Sequence, residues 1–158
     1  MYKRQYNILS IDIFKKKIAN NSRLIGIDPG KKNIGLAICD ENRRVATPFK
    51  TLKKNKFDSI KVELAKIIKE NDIKGIVIGN PINMDGSLGK SAQSALDLAK
   101  NISNNVTIPI TLWDERLSSQ AAFKLTNALN TNVSSKIENL HQNSAAFILQ
   151  GAIDYLSN

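Results

Sequence analysis

Three acids and one histidine stand where their types and spacing can do chemistry. Asp28 closes the apolar run Leu24-Ile25-Gly26-Ile27 just before the Pro29-Gly30 turn, and Asp114 and Glu115 close Ile108 to Trp113. Acids at the ends of buried strands are held on rigid backbone beside a crevice. Carboxylates brought together there repel, and each desolvated charge costs several kcal/mol. Magnesium or manganese would remove that cost and supply a Lewis acid with a bound hydroxide. Two such ions about 3.5–4 Å apart would hold the attacking and leaving oxygens of a phosphodiester. The structural alternative is that Asp28 caps its turn and Asp114 pairs with Arg116. The lone His141 precedes Ala145 by four residues and Ile148 by seven, which puts it on the inward stripe of the last helix, in its first turn. Neutral imidazole can ligate a metal, manganese more readily than magnesium; the alternative is a satisfied core histidine.

Charge points to a polyanionic partner. Lys plus Arg number 23 against 14 Asp plus Glu, for a net charge of +9. Basic domains of this size are drawn to nucleic acid, although a lysine-rich composition alone produces the same excess. Lys31, Lys32, Arg43, Arg44 and Arg116 are candidates to contact backbone phosphates, and Arg116 is favoured because it follows the two acids directly. Gly89-Lys90-Ser91 resembles the end of a phosphate loop, but the glycine required five residues earlier is replaced by Met84, which excludes a Walker A site. Gly79-Asn80-Pro81 and Asp85-Gly86-Ser87 read instead as a strand-to-helix loop. Its helix N-terminus could receive a phosphate, or Ser87 could simply cap the helix.

Those residues need a scaffold, and 158 residues with 42% hydrophobic and 23% charged side chains supply one globular domain. A single cysteine, Cys39, excludes an internal disulfide and a cysteine-rich zinc site. No apolar run approaches the ~20 residues of a membrane span, and Met1 to Ser10 lack a secretory pattern. The expectation is a cytoplasmic protein. Residues 1–22 read as a basic extension, either a docking helix or a mobile arm, ahead of a domain over 23–158. Apolar runs ending at turns predict strands at Leu24–Asp28, Ile34–Cys39, Val45–Leu52, Gly75–Gly79 and Ile108–Trp113. Helical periodicity covers Lys56 to Asn71, where Phe57, Ile60, Leu64, Ile67 and Ile68 share a face. It recurs at Ala92, Ala95, Leu96, Ala99 and Ile102, and again from Ala145 to Leu156. Ser118 or Ser119 can cap a further helix to about Leu129. The order predicts an α/β fold: a mixed five-stranded sheet, three antiparallel strands then two parallel ones, with helices packed on it. Trp113, Tyr155 and Cys39 are expected in or near the core.

Four stretches in order are similar to the YqgF family, RNase H-like proteins described as Holliday junction resolvases and as pre-16S rRNA nucleases. Asp28-Pro29-Gly30-Lys31-Lys32-Asn33-Ile34-Gly35-Leu36-Ala37 resembles its opening D-x-G-x-K-x-x-G-x-A motif. Gly79 to Ser87 resembles its G-x-P-x-x-x-x-G-S loop through Gly79, Pro81, Gly86 and Ser87. Asp114-Glu115-Arg116-Leu117-Ser118-Ser119 resembles D-E-R-L-[ST]-[ST], and Ser144 to Gln150 its A-A-x-x-I-L-Q helix. The resemblance implies an RNase H-like fold and divalent-metal hydrolysis of phosphodiesters, in precursor rRNA or in branched DNA. It implies Asp28 and Glu115 as metal ligands, with Asp114 the other candidate, and matches Gly30, Lys32 and Gly35 to the first loop; Lys31, Lys32, Arg116, Ser118 and Ser87 are the expected nucleic-acid contacts. It also implies possible ribosome-assembly contacts. The family carries an Asp at the start of the last helix, and the matching position, counted back from Leu149, is His141. His141 is therefore expected as third ligand or proton shuttle. The loss of one negative charge should weaken magnesium more than manganese. A catalytically silent binding module is the alternative from another class. A sugar-kinase-like or actin-like phosphotransferase, which also opens on D-x-G, needs two such domains and a longer chain.

Overall fold

The computed structural model describes residues 7–54, 57–82, 85–117 and 140–157. Strands β1 (Ile8–Leu9), β2 (Arg23–Pro29), β3 (Asn33–Cys39), β4 (Ala46–Lys53), β5 (Ile73–Asn80) and β6 (Ile110–Asp114) form one sheet. Helices α1 (Ile11–Lys17), α2 (Phe57–Glu70), α3 (Lys90–Ser103) and α4 (Leu140–Leu156) lie on it, and Glu115–Leu117 form a short 3-10 helix after β6. The strand order is β1-β6-β5-β2-β3-β4. β2, β3 and β4 pair antiparallel, and β5 and β6 add in parallel on the other side of β2.

The sheet therefore has six strands rather than the expected five. The extra strand comes from the segment read as an extension: Ile8 and Leu9 pair in parallel with Ile110 and Thr111. Ser10 caps α1 by accepting from the Ile13 amide, and Phe14 of α1 is fully buried, against Gly75 and Leu24. The predicted helix after Ser118 or Ser119 and the polar stretch from Asn130 to Asn139 lie outside the described residues.

Alternation along the strands divides the core in two. Ile25, Ile27, Ile34, Leu36, Ile76, Ile78 and Ile110 face α2 and α3. Leu24, Ala37, Cys39, Val77 and Trp113 face α1 and α4. On α3 the buried leucine is Leu98, while Leu96 of the expected stripe is half-buried. Trp113 is 1% exposed, which leaves it no face for stacking on a base, and its indole meets Tyr155 edge-on at 5.6 Å.

Small residues let α4 approach the sheet. A Cβ at Gly26 would touch Leu149, and one at Gly35 would overlap the carbonyl oxygen of His141. The first turn of α4 thus rests on the backbone of β3. Further along the helix, Gln150 accepts from the Ala46 amide at 2.8 Å and donates to the Arg44 carbonyl at 3.0 Å. The closing motif's glutamine is in this way a fastening between α4 and the β3–β4 turn. Among the described residues, no helix is long and apolar enough to cross a membrane.

Candidate functional site

The carboxyl ends of β2, β5 and β6 lie side by side, with Ile27 opposite Ile78 and Gly79 opposite Trp113. Asp28 follows Leu24 and Gly26 on the α4 face of β2. Glu115 comes two residues after Trp113, and its carboxylate lies on the same face: a Cβ at Gly79 would meet Ile148 of α4 and sit 3.1 Å from Glu115 Oε2. A side chain at Gly79 would fill the space that carboxylate uses. His141 enters from the first turn of α4, its Nδ1 3.8 Å from Asp28 Oδ2, an ionic approach longer than a hydrogen bond. Gly30 lies beside that ring, and its lack of a side chain serves the turn itself, since a Cβ there would overlap the Asn33 carbonyl oxygen.

The electrostatics of Asp28 and Glu115 follow from burial. Desolvation raises the Asp28 pKa, against a smaller pull downward from His141. Glu115 is raised by desolvation first and then by the like charges of Asp28 and Asp114. No cation among the described residues lowers it.

Asp114 behaves differently from its neighbour. It sits on the other strand face, in step with Leu112, and Arg116 holds it through Nε at 3.0 Å and Nη2 at 2.7 Å, with the Arg116 amide donating at 3.0 Å. These bonds, despite some desolvation, keep its carboxyl below the usual range. The pairing of Asp114 with Arg116 is thus realised, whereas Asp28 turns toward His141 and Glu115. Among the described residues, no group of three His, Cys, Asp or Glu side chains stands at metal-ligating spacing.

The remaining candidates fall into three places. Arg116 lies beside the loop after β5, where a Cβ at Gly86 would be 3.8 Å from its Nη1. Gly86 takes φ +88°, and Ser87 donates from its amide at 2.9 Å and its hydroxyl at 2.6 Å to Asp85 Oδ1. Ser87 does not cap α3; Gly89 occupies that position, with no side-chain hydrogen bond to the first turn. Pro81 ends β5 beside Asn80. Lys31 and Lys32 are exposed on the β2–β3 turn. Arg43 and Arg44 are at the opposite end of the sheet: antiparallel pairing of β2 with β3 puts their turn near Leu24, away from Asp28. Ser118 lies outside the described residues.

A cleft of about 370 Å³ opens behind the β2–β3 turn, between Lys31, Lys54 and the first turns of α3. Motif reading missed it because Lys54 belongs to no motif and Lys90-Ser91 fits none that is complete.

The family described as "RuvX: Holliday junction resolvase" matches residues 22–155. A curated relative from Pelagibacter ubique is 54% identical over 96% of this chain and 100% of its own length. The chain belongs to the RuvX family. This is the YqgF family of the motif resemblance. The Pelagibacter relative is named "Putative pre-16S rRNA nuclease", as is one from Novosphingobium aromaticivorans, 41% identical over 89% of this chain and 90% of its own. Among solved structures, Thermus thermophilus RuvC matches with a TM-score of 0.55 at 11% identity, covering 85% of this chain and 93% of that one. The yeast mitochondrial Holliday junction resolvase Ydc2 matches with a TM-score of 0.50 at 13% identity, covering 93% and 84%. At such identities the likeness concerns the fold: the RuvX chain has the RNase H-like sheet, with one short edge strand added.

Proposed function

We propose that this RuvX-family protein is a nuclease that hydrolyses phosphodiester bonds in structured nucleic acid, its substrate being the 5′ end of precursor 16S rRNA. One observation carries the reading. Asp28 and Glu115 come from the ends of separate strands onto one face, burial raises the pKa of both, the Asp28 charge raises Glu115 further, and His141 stands 3.8 Å from Asp28. Such a pair is expensive in a scaffold and useful to a hard cation. Magnesium is commonly held by one or two carboxylates together with substrate phosphates, so a complete protein cage is not required. Asp28 and Glu115 would be its ligands. When bound, the metal would supply Lewis acidity and lower the pKa of a water, so that it gives up a proton more readily and becomes the nucleophile toward phosphorus.

The chain's own groups do the rest. Asp28 and Glu115 hold their carboxylates toward the position of the reacting phosphate. His141, a third exposed at 34%, links Asp28 to solvent and can pass a proton across the rim. Asp114 keeps the Arg116 guanidinium at the edge of the site, where it can meet a neighbouring phosphate. A pre-rRNA substrate places the protein in the cytoplasm, with ribosome-assembly intermediates as its partners.

The test is cleavage of labelled structured RNA and of a four-way DNA junction, each in magnesium and in manganese, beside Asp28→Asn. Cleavage of the RNA that Asp28→Asn abolishes supports the reading, and a preference for manganese supports the part given to His141. Activity indifferent to Asp28→Asn would remove this site from the chemistry. The family description favours a second reading, resolution of DNA junctions. That reaction needs two active sites, so it predicts a stable dimer on the junction and paired cuts.

A further inference from the structure

The lysine cleft faces the other side of the β2–β3 turn from Asp28. Pro29, Gly30 and Lys31 form one wall, Lys54 a second, and Lys90, Ser91 and Ser94 of α3 the third. Three lysines and two serines therefore line a space of about 370 Å³, with no acidic residue among its lining residues. None of the three lysines makes an ion pair with a described residue. Backbone fixes two of the walls together, because the Lys54 amide donates to the Lys32 carbonyl at 2.8 Å. Like charges held this way around a void repel one another, and an anion of matching size relieves that repulsion. The uncapped first turn of α3 adds to the positive potential.

The turn that closes the cleft begins one residue after Asp28. A strand whose scissile phosphate lay over Asp28 and Glu115 would cross this turn and bring another of its phosphates to the lysines. We propose that Lys31, Lys54 and Lys90, with Ser91 and Ser94, form a second phosphate site that holds the substrate strand away from the scissile bond. The proposal rests on the nuclease reading for its substrate, while its test reads binding as well as cleavage. These lysines position the strand and touch none of the reacting atoms.

The test compares the double variant Lys54→Ala/Lys90→Ala with Lys66→Ala/Lys69→Ala, which removes the same charge from the exposed side of α2. Binding of a fluorescein-labelled RNA hairpin with single-stranded tails is followed by anisotropy from low to moderate salt. Each lysine–phosphate contact contributes about 0.7–0.9 to the slope of log K against log salt. Loss of Lys54 and Lys90 should therefore flatten the slope by about 1.5 and raise KM about tenfold with kcat unchanged. The α2 control should keep the wild-type slope, and matching thermal unfolding curves should show that all variants fold. A slope equal in both double variants would overturn the proposal. So would strong stabilisation of the wild type by millimolar inorganic phosphate while the RNA slope stays unchanged, because the cleft would then serve a small phosphorylated ligand. Asp28→Asn separates the two readings: it should stop cleavage and leave the salt slope intact. If cleavage survives Asp28→Asn, the nuclease assignment falls and the binding result stands by itself.

Discussion

Asp114 and Glu115 are consecutive acids at the end of one strand, yet the fold gives them opposite surroundings. Asp114 lies on the α3 side, ion-paired with Arg116, and its pKa is lowered mainly by that guanidinium. Glu115 lies on the α4 side next to Asp28, without a cation among the described residues, and its pKa is raised. The difference extends to the two faces as a whole. Beside α4 the edge gathers the carboxylates of Asp28 and Glu115, with only His141 against Asp28 among the described residues; beside α3 it gathers the positive charge of Lys31, Lys54 and Lys90 around an open cleft. A polyanion with a metal-bound phosphate would satisfy both at once. Residue type alone could not have separated the two acids, since their chemistry is nearly the same. What separates them is the end of β6: Asp114 keeps step with Leu112 on the strand, while Glu115 opens the 3-10 helix with its carboxylate beside Gly79.

The contrast can be broken most severely by exchanging the amides for the acids. Under the proposed function, where Glu115 would hold a metal, Glu115→Gln should cut RNA cleavage about a thousandfold, since such a ligand is worth several kcal/mol in the transition state. Asp114→Asn, which loosens the Arg116 pairing and removes a like charge near Glu115, should cost about tenfold or less, as measured by single-turnover kinetics. Equal losses would mean that the two faces are not distinct in function.

Gly35→Ala tests the α4 side through its backbone. The added methyl would overlap the His141 carbonyl, a backbone atom that cannot swing aside. Denaturant unfolding should show a loss of about 3 kcal/mol. Gly79→Ala is expected to cost less, because it meets the flexible end of Ile148.

A smaller effect concerns pH. Asp28 and Glu115 have folded-state pKa values raised above their unfolded ones. The folded protein therefore binds protons more tightly, and stability falls as pH rises from the ordinary carboxylate range, about pH 4, through the raised folded values. In metal-free protein, Asp28→Asn should raise the melting temperature at pH 7 and leave it nearly unchanged below about pH 3, where both states are protonated. A variant that is less stable at pH 7 would show that His141 compensates Asp28 fully. Arg116→Ala should have the smallest effect on folding by the same unfolding assay, because the pair it breaks is partly solvated.

Much of this was readable from periodicity and punctuation. The apolar runs ending at Asp28, Gly79 and Trp113 and the stripes of Ile60, Leu64, Ile67 and Ala145, Leu149, Ala152 set down five strands and the helices over them, because burial of one face demands such repeats. The order of those elements brought Asp28 to the same edge as Asp114 and Glu115. Other features depend on contacts between residues far apart in the chain, which no local pattern carries. The two-residue strand Ile8–Leu9 is too short for a period, and it exists because β6 offers a free edge and Phe14 a buried anchor. The choice of Glu115 over Asp114 rests on which side of the sheet α4 covers. The cleft unites Lys31, Lys54 and Lys90 from three elements, and charges that meet only when the chain has folded leave no mark on the order in which they are strung.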